Sequence, residues 1–185
     1  MNMRRYTVLS LFLATTLVLA GCFDELSGGP YEGPDRVGFD IDLVTRGGPD
    51  DPDGASASFE QGQTVPLGVD LIGPQQSNDL QVNVSTVSEP VYNIKEVPTD
   101  TGAARIDTTV LAMPTTAEEG VHYDLPSSFT IPADSSTANL NVDLLSGLAS
   151  DDDPVRLSIR LDGNEEQGLE PATNFRYFTI NIQPN

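Results

Sequence analysis

The sequence predicts an all-β protein: an antiparallel sandwich of about seven to nine strands behind an N-terminal signal helix. Three observations predict it. Apolar residues recur at every second position in several runs of strand length. Those runs end at Gly, Pro, Asn or Asp, residues that make turns and stop strands. After residue 21 no stretch carries the 3.6-residue period of an amphipathic helix.

Residues 1–21 are a leader in three parts. Arg4 and Arg5 supply positive charge, Val8 to Ala20 is an apolar core, and small residues follow. Those are the parts of a secretory signal peptide. The core is too short to span a bilayer, which takes about 20 apolar residues. The four residues Leu19-Ala20-Gly21-Cys22 resemble the lipobox of bacterial lipoproteins. The resemblance implies lipid on the Cys22 thiol, cleavage before Cys22, and acylation of the new amino terminus. Several acyl chains on one residue hold far more firmly than one, since each buried methylene contributes about 0.8 kcal/mol. Cys22 is the single cysteine of the chain, so disulfides do not staple the fold.

Residues 22–34 read as a flexible tether. The segment from Phe23 to Pro34 is rich in Gly, Pro and acids, and has no period and little apolar content. Fully extended it reaches about 40 Å. Residues 35–185 then make one domain, of a size that buries a core without staples.

Within that domain Val37, Phe39, Ile41 and Leu43 alternate with more polar neighbours, followed by a turn-rich break at 47–54. Val65, Leu67, Val69 and Leu71 form the next run. Pro66 lies inside it, which predicts an edge or a bulge there because proline donates no ladder hydrogen bond. Leu80, Val82 and Val84 follow after a loop at 73–78. Residues 88–119 have weak alternation and are expected to be the least regular part, with a strand at 106–113. The pattern then returns at Phe129 and Ile131, at Leu140, Val142 and Leu144, at Val155 to Leu161, and at Phe178, Ile180 and Ile182.

Charge excludes some partners. The formal net charge is −19, from 28 acidic and 9 basic residues, and Arg4 and Arg5 lie in the leader. Nucleic acid and anionic lipid surfaces are therefore poor partners. Lys95 is the only lysine, and an acid-rich, lysine-poor surface suits either a high-salt habitat or plain solubility.

Residues 117–161 hold an ordered set of segments: Ala117-Glu118-Glu119-Gly120-Val121-His122-Tyr123, Phe129-Thr130-Ile131-Pro132-Ala133, Leu140 to Leu144, and Val155 to Leu161. This order resembles the Calx-beta domain, an immunoglobulin-like sandwich. It is similar also to uncharacterised sandwich domains of Gram-negative outer-membrane lipoproteins, some of them encoded near glycan-uptake systems. In this pattern Gly120 permits a turn closed to other residues, Tyr123 buries its ring while its hydroxyl seeks a partner, and Pro132 ends a strand. The resemblance implies a calcium site only where acids occupy two positions that here hold His122 and Val155.

Candidate chemistry is sparse. Calcium needs six to eight converging oxygens. The clusters Asp50, Asp51 and Asp53, and Asp151, Asp152 and Asp153, supply some of them, without the spacing of an EF-hand. Runs of adjacent acids otherwise read as solvated loops. His122 is the only histidine available as a catalytic base, and there is no Gly-x-Ser-x-Gly elbow. A zinc site lacks His and Cys ligands. Glycan binding leans on exposed aromatic rings; there is no Trp, and Tyr92 is the candidate. The expectation is a non-catalytic envelope lipoprotein, bound to the membrane through Cys22 and acting in adhesion, scaffolding or ligand capture. The alternatives are a glycan-binding accessory of an uptake system and a calcium-stabilised module. The outer membrane is favoured because Phe23, not Asp, follows Cys22.

Overall fold

The computed structural model of the chain describes residues 32–40, 55–97, 102, 104–173 and 175–185. The expected leader, most of the expected tether, Ile41 and Leu43 of the first alternating run, and the turn region 47–54 lie outside the described residues.

Among the described residues twelve strands form: β1 (Arg36–Phe39), β2 (Ala55–Glu60), β3 (Thr64–Ile72), β4 (Leu80–Thr86), β5 (Val91–Val97), β6 (Arg105–Ala112), β7 (Tyr123–Asp124), β8 (Ser128–Ile131), β9 (Thr137–Leu144), β10 (Val155–Gly163), β11 (Glu170–Pro171) and β12 (Tyr177–Gln183). One sheet runs β11-β1-β3-β9-β7 and the other β2-β12-β10-β4-β8; β5 and β6 pair apart as a two-stranded ribbon. The series β1-β3-β9-β7 and β12-β10-β4 reproduce the A-B-E-D and G-F-C orders of an immunoglobulin sandwich. The predicted fold class therefore stands, inside a compact unit spanning Pro34–Asn185.

The strand count exceeds the expected seven to nine. Two of the extra strands, β7 and β11, are two residues long, and β5 and β6 form the separate ribbon. The sheets are also not wholly antiparallel. β2 runs parallel to β12, with Ala55 beside Phe178 and Glu60 beside Gln183, and β1 runs parallel to β11. In this way the N-terminal part of the domain supplies one strand to each sheet. β2 covers the edge of β12, where unpaired backbone groups would invite another chain.

The alternation puts one side of each strand into a shared core. Val37, Val69, Leu140 and Val142 from the first sheet, and Leu157, Ile159, Leu161, Ile180 and Ile182 from the second, are fully buried. Burying each such side chain contributes about 1.5–3 kcal/mol. The rings of Phe39 and Phe178 meet between the sheets at 5.5 Å, tilted by 54°.

Pro66 lies in an interior strand and costs no ladder bond on the β9 side. Among the described residues β1 pairs with β3 from Val69 to Ile72, and the Asp40 amide donates to the Gly68 carbonyl just past that stretch. Residues two apart on a strand present their backbone groups to the same side. Pro66 thus turns its nitrogen away from β9, while Val65 and Leu67 keep register with Val142 and Leu140 of that strand.

Within 88–119 the expected strand at 106–113 forms as β6, and residues 113–118 form no strand. β5, which the weak alternation does not predict, pairs antiparallel with β6 from Val97 opposite Arg105 to Val91 opposite Ala112, with a shift of register between Val91 and Tyr92. Nearly every residue of β5 is exposed, so no buried face imposes alternation on its sequence.

Candidate functional site

The β5–β6 ribbon stands off the sandwich and is held at one end. Val87, Ala112 and Tyr177 form a small second cluster, with Val91 and Leu111 packed against it. Val91 faces Ala112 and Tyr92 faces Val110, which leaves Leu111 as an extra residue on β6. Such a bulge bends a ribbon and re-aims a side chain. Here it accompanies the packing of Leu111 against the cluster.

Beyond the bulge the ribbon's two faces differ. One carries Tyr92 and Ile94 on β5, opposite Val110 and Thr108 on β6, and then Ile106 opposite Glu96. Tyr92, Ile94, Ile106 and Val110 are 51%, 67%, 63% and 43% exposed, which makes this the largest group of exposed apolar side chains among the described residues. The other face carries Lys95 opposite Asp107, and the Arg105 guanidinium donates to Asp107 at 2.7 Å. That carboxylate raises the Arg105 pKa further, chiefly through the hydrogen bond. The two strands carry Lys95 and Arg105 against Glu96 and Asp107, so they are formally neutral on a strongly acidic chain.

Tyr92 is thus an exposed ring on a projecting surface. Its neighbours Ile94, Ile106 and Val110 were not marked by the sequence. The available signal was three large apolar residues falling inside a polar stretch.

The other candidates do not join it. Cys22, Asp50, Asp51 and Asp53 lie outside the described residues. Asp151, Asp152 and Asp153 are exposed in the connection before β10. Asp152 there accepts from the Ala149 amide at 2.6 Å, a bond that closes its own turn. Among the described residues no three His, Cys, Asp or Glu side chains converge as metal ligands.

His122 has a local bonding role. Its Nδ1 accepts from the Glu118 amide at 2.8 Å, and its own amide donates to the Glu118 carbonyl at 2.8 Å. This turn passes through Gly120 at φ 76°, as its glycine predicts. The turn leads to Tyr123, which is buried and hydrogen bonded to Thr86. Burial raises the Tyr123 pKa, nearby Glu119 raises it further, and the Thr86 bond opposes both.

Two shallow clefts flank the link from β10 to β11. One, of about 510 Å³, is lined by Gln81, Asn83, Asp162, Asn164, Glu165 and Glu166. The second, of about 430 Å³, is bordered by Arg160, Leu169, Pro171 and Arg176 with neighbouring acids. Arg160 is paired with Asp162 at 2.5 Å, and the Arg176 guanidinium lies 4.9 Å from the Tyr177 ring centre. Neither cleft presents an aromatic face on which a sugar ring could stack.

Two solved structures are similar to the chain, both of Bacteroides ovatus proteins of unknown function. One has 15% identity and a TM-score of 0.43, covering 80% of this chain and 44% of the other. The second has 18% identity and a TM-score of 0.43, covering 81% and 47%. The chain therefore spans less than half the length of either protein. No family model matches the chain, and no curated protein matches it.

Proposed function

We propose that the chain is a non-catalytic lipoprotein of the cell envelope, held in the outer membrane through lipid on Cys22, whose sandwich displays the β5–β6 ribbon as a contact surface for adhesion, scaffolding or capture. The observation that carries the contact role is the exposed apolar face of Tyr92, Ile94, Ile106 and Val110. Large apolar side chains grouped on a soluble domain mark interaction sites more often than scattered ones do. The anchor rests on the lipobox resemblance of Leu19 to Cys22.

Intact-mass measurement of the protein purified from membranes tests the anchor. The expected mass is that of a chain beginning at Cys22 with several acyl groups, and Cys22→Ser should move the protein out of the membrane fraction. A free thiol at residue 22 rules the anchor out. The exposed ring of Tyr92 also supports a second reading, capture of a glycan by stacking. A glycan array probed with wild type and Tyr92→Ala checks that reading, which fails if no sugar binds or if the variant binds equally.

A further inference from the structure

We propose that the partner of the ribbon's apolar face is a second copy of the same chain, stacked face to face about a two-fold axis. The inference rests on the ribbon being a contact surface and names what it contacts.

Three observations argue for self-association. The first is charge. Two chains without the leader, and so without Arg4 and Arg5, carry a formal charge of −21 each and repel over most of their surfaces, but β5 and β6 carry two cations and two anions, so their strands approach without net repulsion. The cations and Asp107 lie on the face turned away from the proposed contact, leaving Glu96 as the one charge beside the apolar group.

The second observation is the ribbon's own instability. A two-stranded ribbon in water is marginal until a third strand or a second layer covers one face. Here the sandwich supports one end through Val91, Leu111 and Ala112, while Ile94 and Ile106 stay about two-thirds exposed further out. A second ribbon stacked at about 10 Å supplies the missing layer, and the alternation that aligns Tyr92 with Ile94 on one copy presents the same row on the other.

The third is area. Tyr92, Ile94, Ile106 and Val110, at their observed exposures, offer on the order of 400 Å² per copy, or about 800 Å² for a symmetric pair. That is the size of a weak, transient interface. The structure therefore points to a dimer that forms when copies are concentrated, as lipid anchoring in one membrane would concentrate them.

The test is sedimentation equilibrium on the chain from Phe23 to Asn185, which contains every residue of both apolar clusters. Wild type should pass from monomer to dimer with a midpoint on the order of 100 µM. Ile94→Asp and Ile94→Lys should each weaken association at least tenfold by placing like charges across the two-fold. An equimolar mixture of the two variants should re-associate, which damage to the fold would not allow. Thr108→Lys, on the same face, supplies an independent disruption. Wild type that stays monomeric to about 1 mM, or dimers indifferent to all three substitutions, overturn the proposal. Monomers whose ribbon binds a glycan or lipid vesicle overturn it too, yet leave the ribbon as a contact surface.

Discussion

Replacing Gln61 by alanine should destabilise the sandwich out of proportion to the size of the side chain. Gln61 is one of two polar residues buried among the described residues. Its Nε2 donates to the Leu148 carbonyl at 2.8 Å, and its Oε1 accepts from the Leu148 amide at 2.8 Å. Its own amide donates to the Gln183 carbonyl at 3.0 Å, and the next amide, of Gly62, donates to Leu144 at 2.7 Å. One side chain thus clamps the β2–β3 turn to the loop leaving β9. Alanine removes two hydrogen bonds, each contributing about 0.5–1.5 kcal/mol, and leaves two backbone groups of Leu148 unpaired. Water reaches part of this site, so the expected loss is about 2–4 kcal/mol, or about 5–15 °C in melting temperature for a domain of this length. Urea unfolding followed by circular dichroism measures it. Gln61→Glu sharpens the test: it still accepts from the Leu148 amide but sets a carboxylate against the Leu148 carbonyl. That setting raises the folded pKa of the carboxyl, so the variant's deficit relative to wild type should shrink as pH falls toward about 4.3, where the unfolded group also takes up its proton, and stay constant below that pH. If Gln61→Ala unfolds within about 0.5 kcal/mol of wild type, the clamp contributes nothing and the reasoning is wrong.

The pH dependence at the alkaline end should trace to Tyr123. Its folded pKa lies above the ordinary 10.0, so the stability it contributes is complete below that pH and lost as pH rises through the folded pKa. Tyr123→Phe, lacking the Thr86 bond, should be about 0.5–1.5 kcal/mol less stable at pH 7, with the gap to wild type closing as pH rises above about 10. A gap independent of pH in urea titrations would falsify this. Gly163→Ala should cost at least about 2 kcal/mol: φ there is 71°, and a Cβ would stand 2.3 Å from the Leu169 carbonyl oxygen. Calorimetry on that variant should show a clear fall in melting temperature, and an unchanged one would mean the β10–β11 connection relaxes freely. Ile180→Ala in the core should lose about 2–5 kcal/mol, whereas Ile94→Ala on the ribbon should stay within about 0.5 kcal/mol. Equal losses would contradict the burial contrast between the two isoleucines.

How much was legible varied with burial. The runs at 65–71, 140–144 and 155–161 became β3, β9 and β10 because each has one face in the core, and a face in the core imposes alternation on the sequence. β2 escaped notice because its inward residues include Ala55 and Ala57, too small to stand out against Ser56 and Ser58. β5 escaped because Asn93, Lys95 and Glu96 are solvated together with Tyr92 and Ile94, so solvent rather than a core surrounds both faces. The candidate site shared that fate. Tyr92 was noticed as an aromatic ring, but Ile106 and Val110 join it only through pairing across the ribbon.

The sequence by itself determined the all-β class, the single cysteine, the acidic charge and most of the core strands, because each of these is a local property of composition or of a two-residue period. Tertiary structure decided that β2 runs parallel to β12, that Pro66 turns its nitrogen away from β9, and that four apolar residues share one exposed face. Those outcomes depend on which edge meets which strand, and pairings between segments far apart in the chain leave no local period to read.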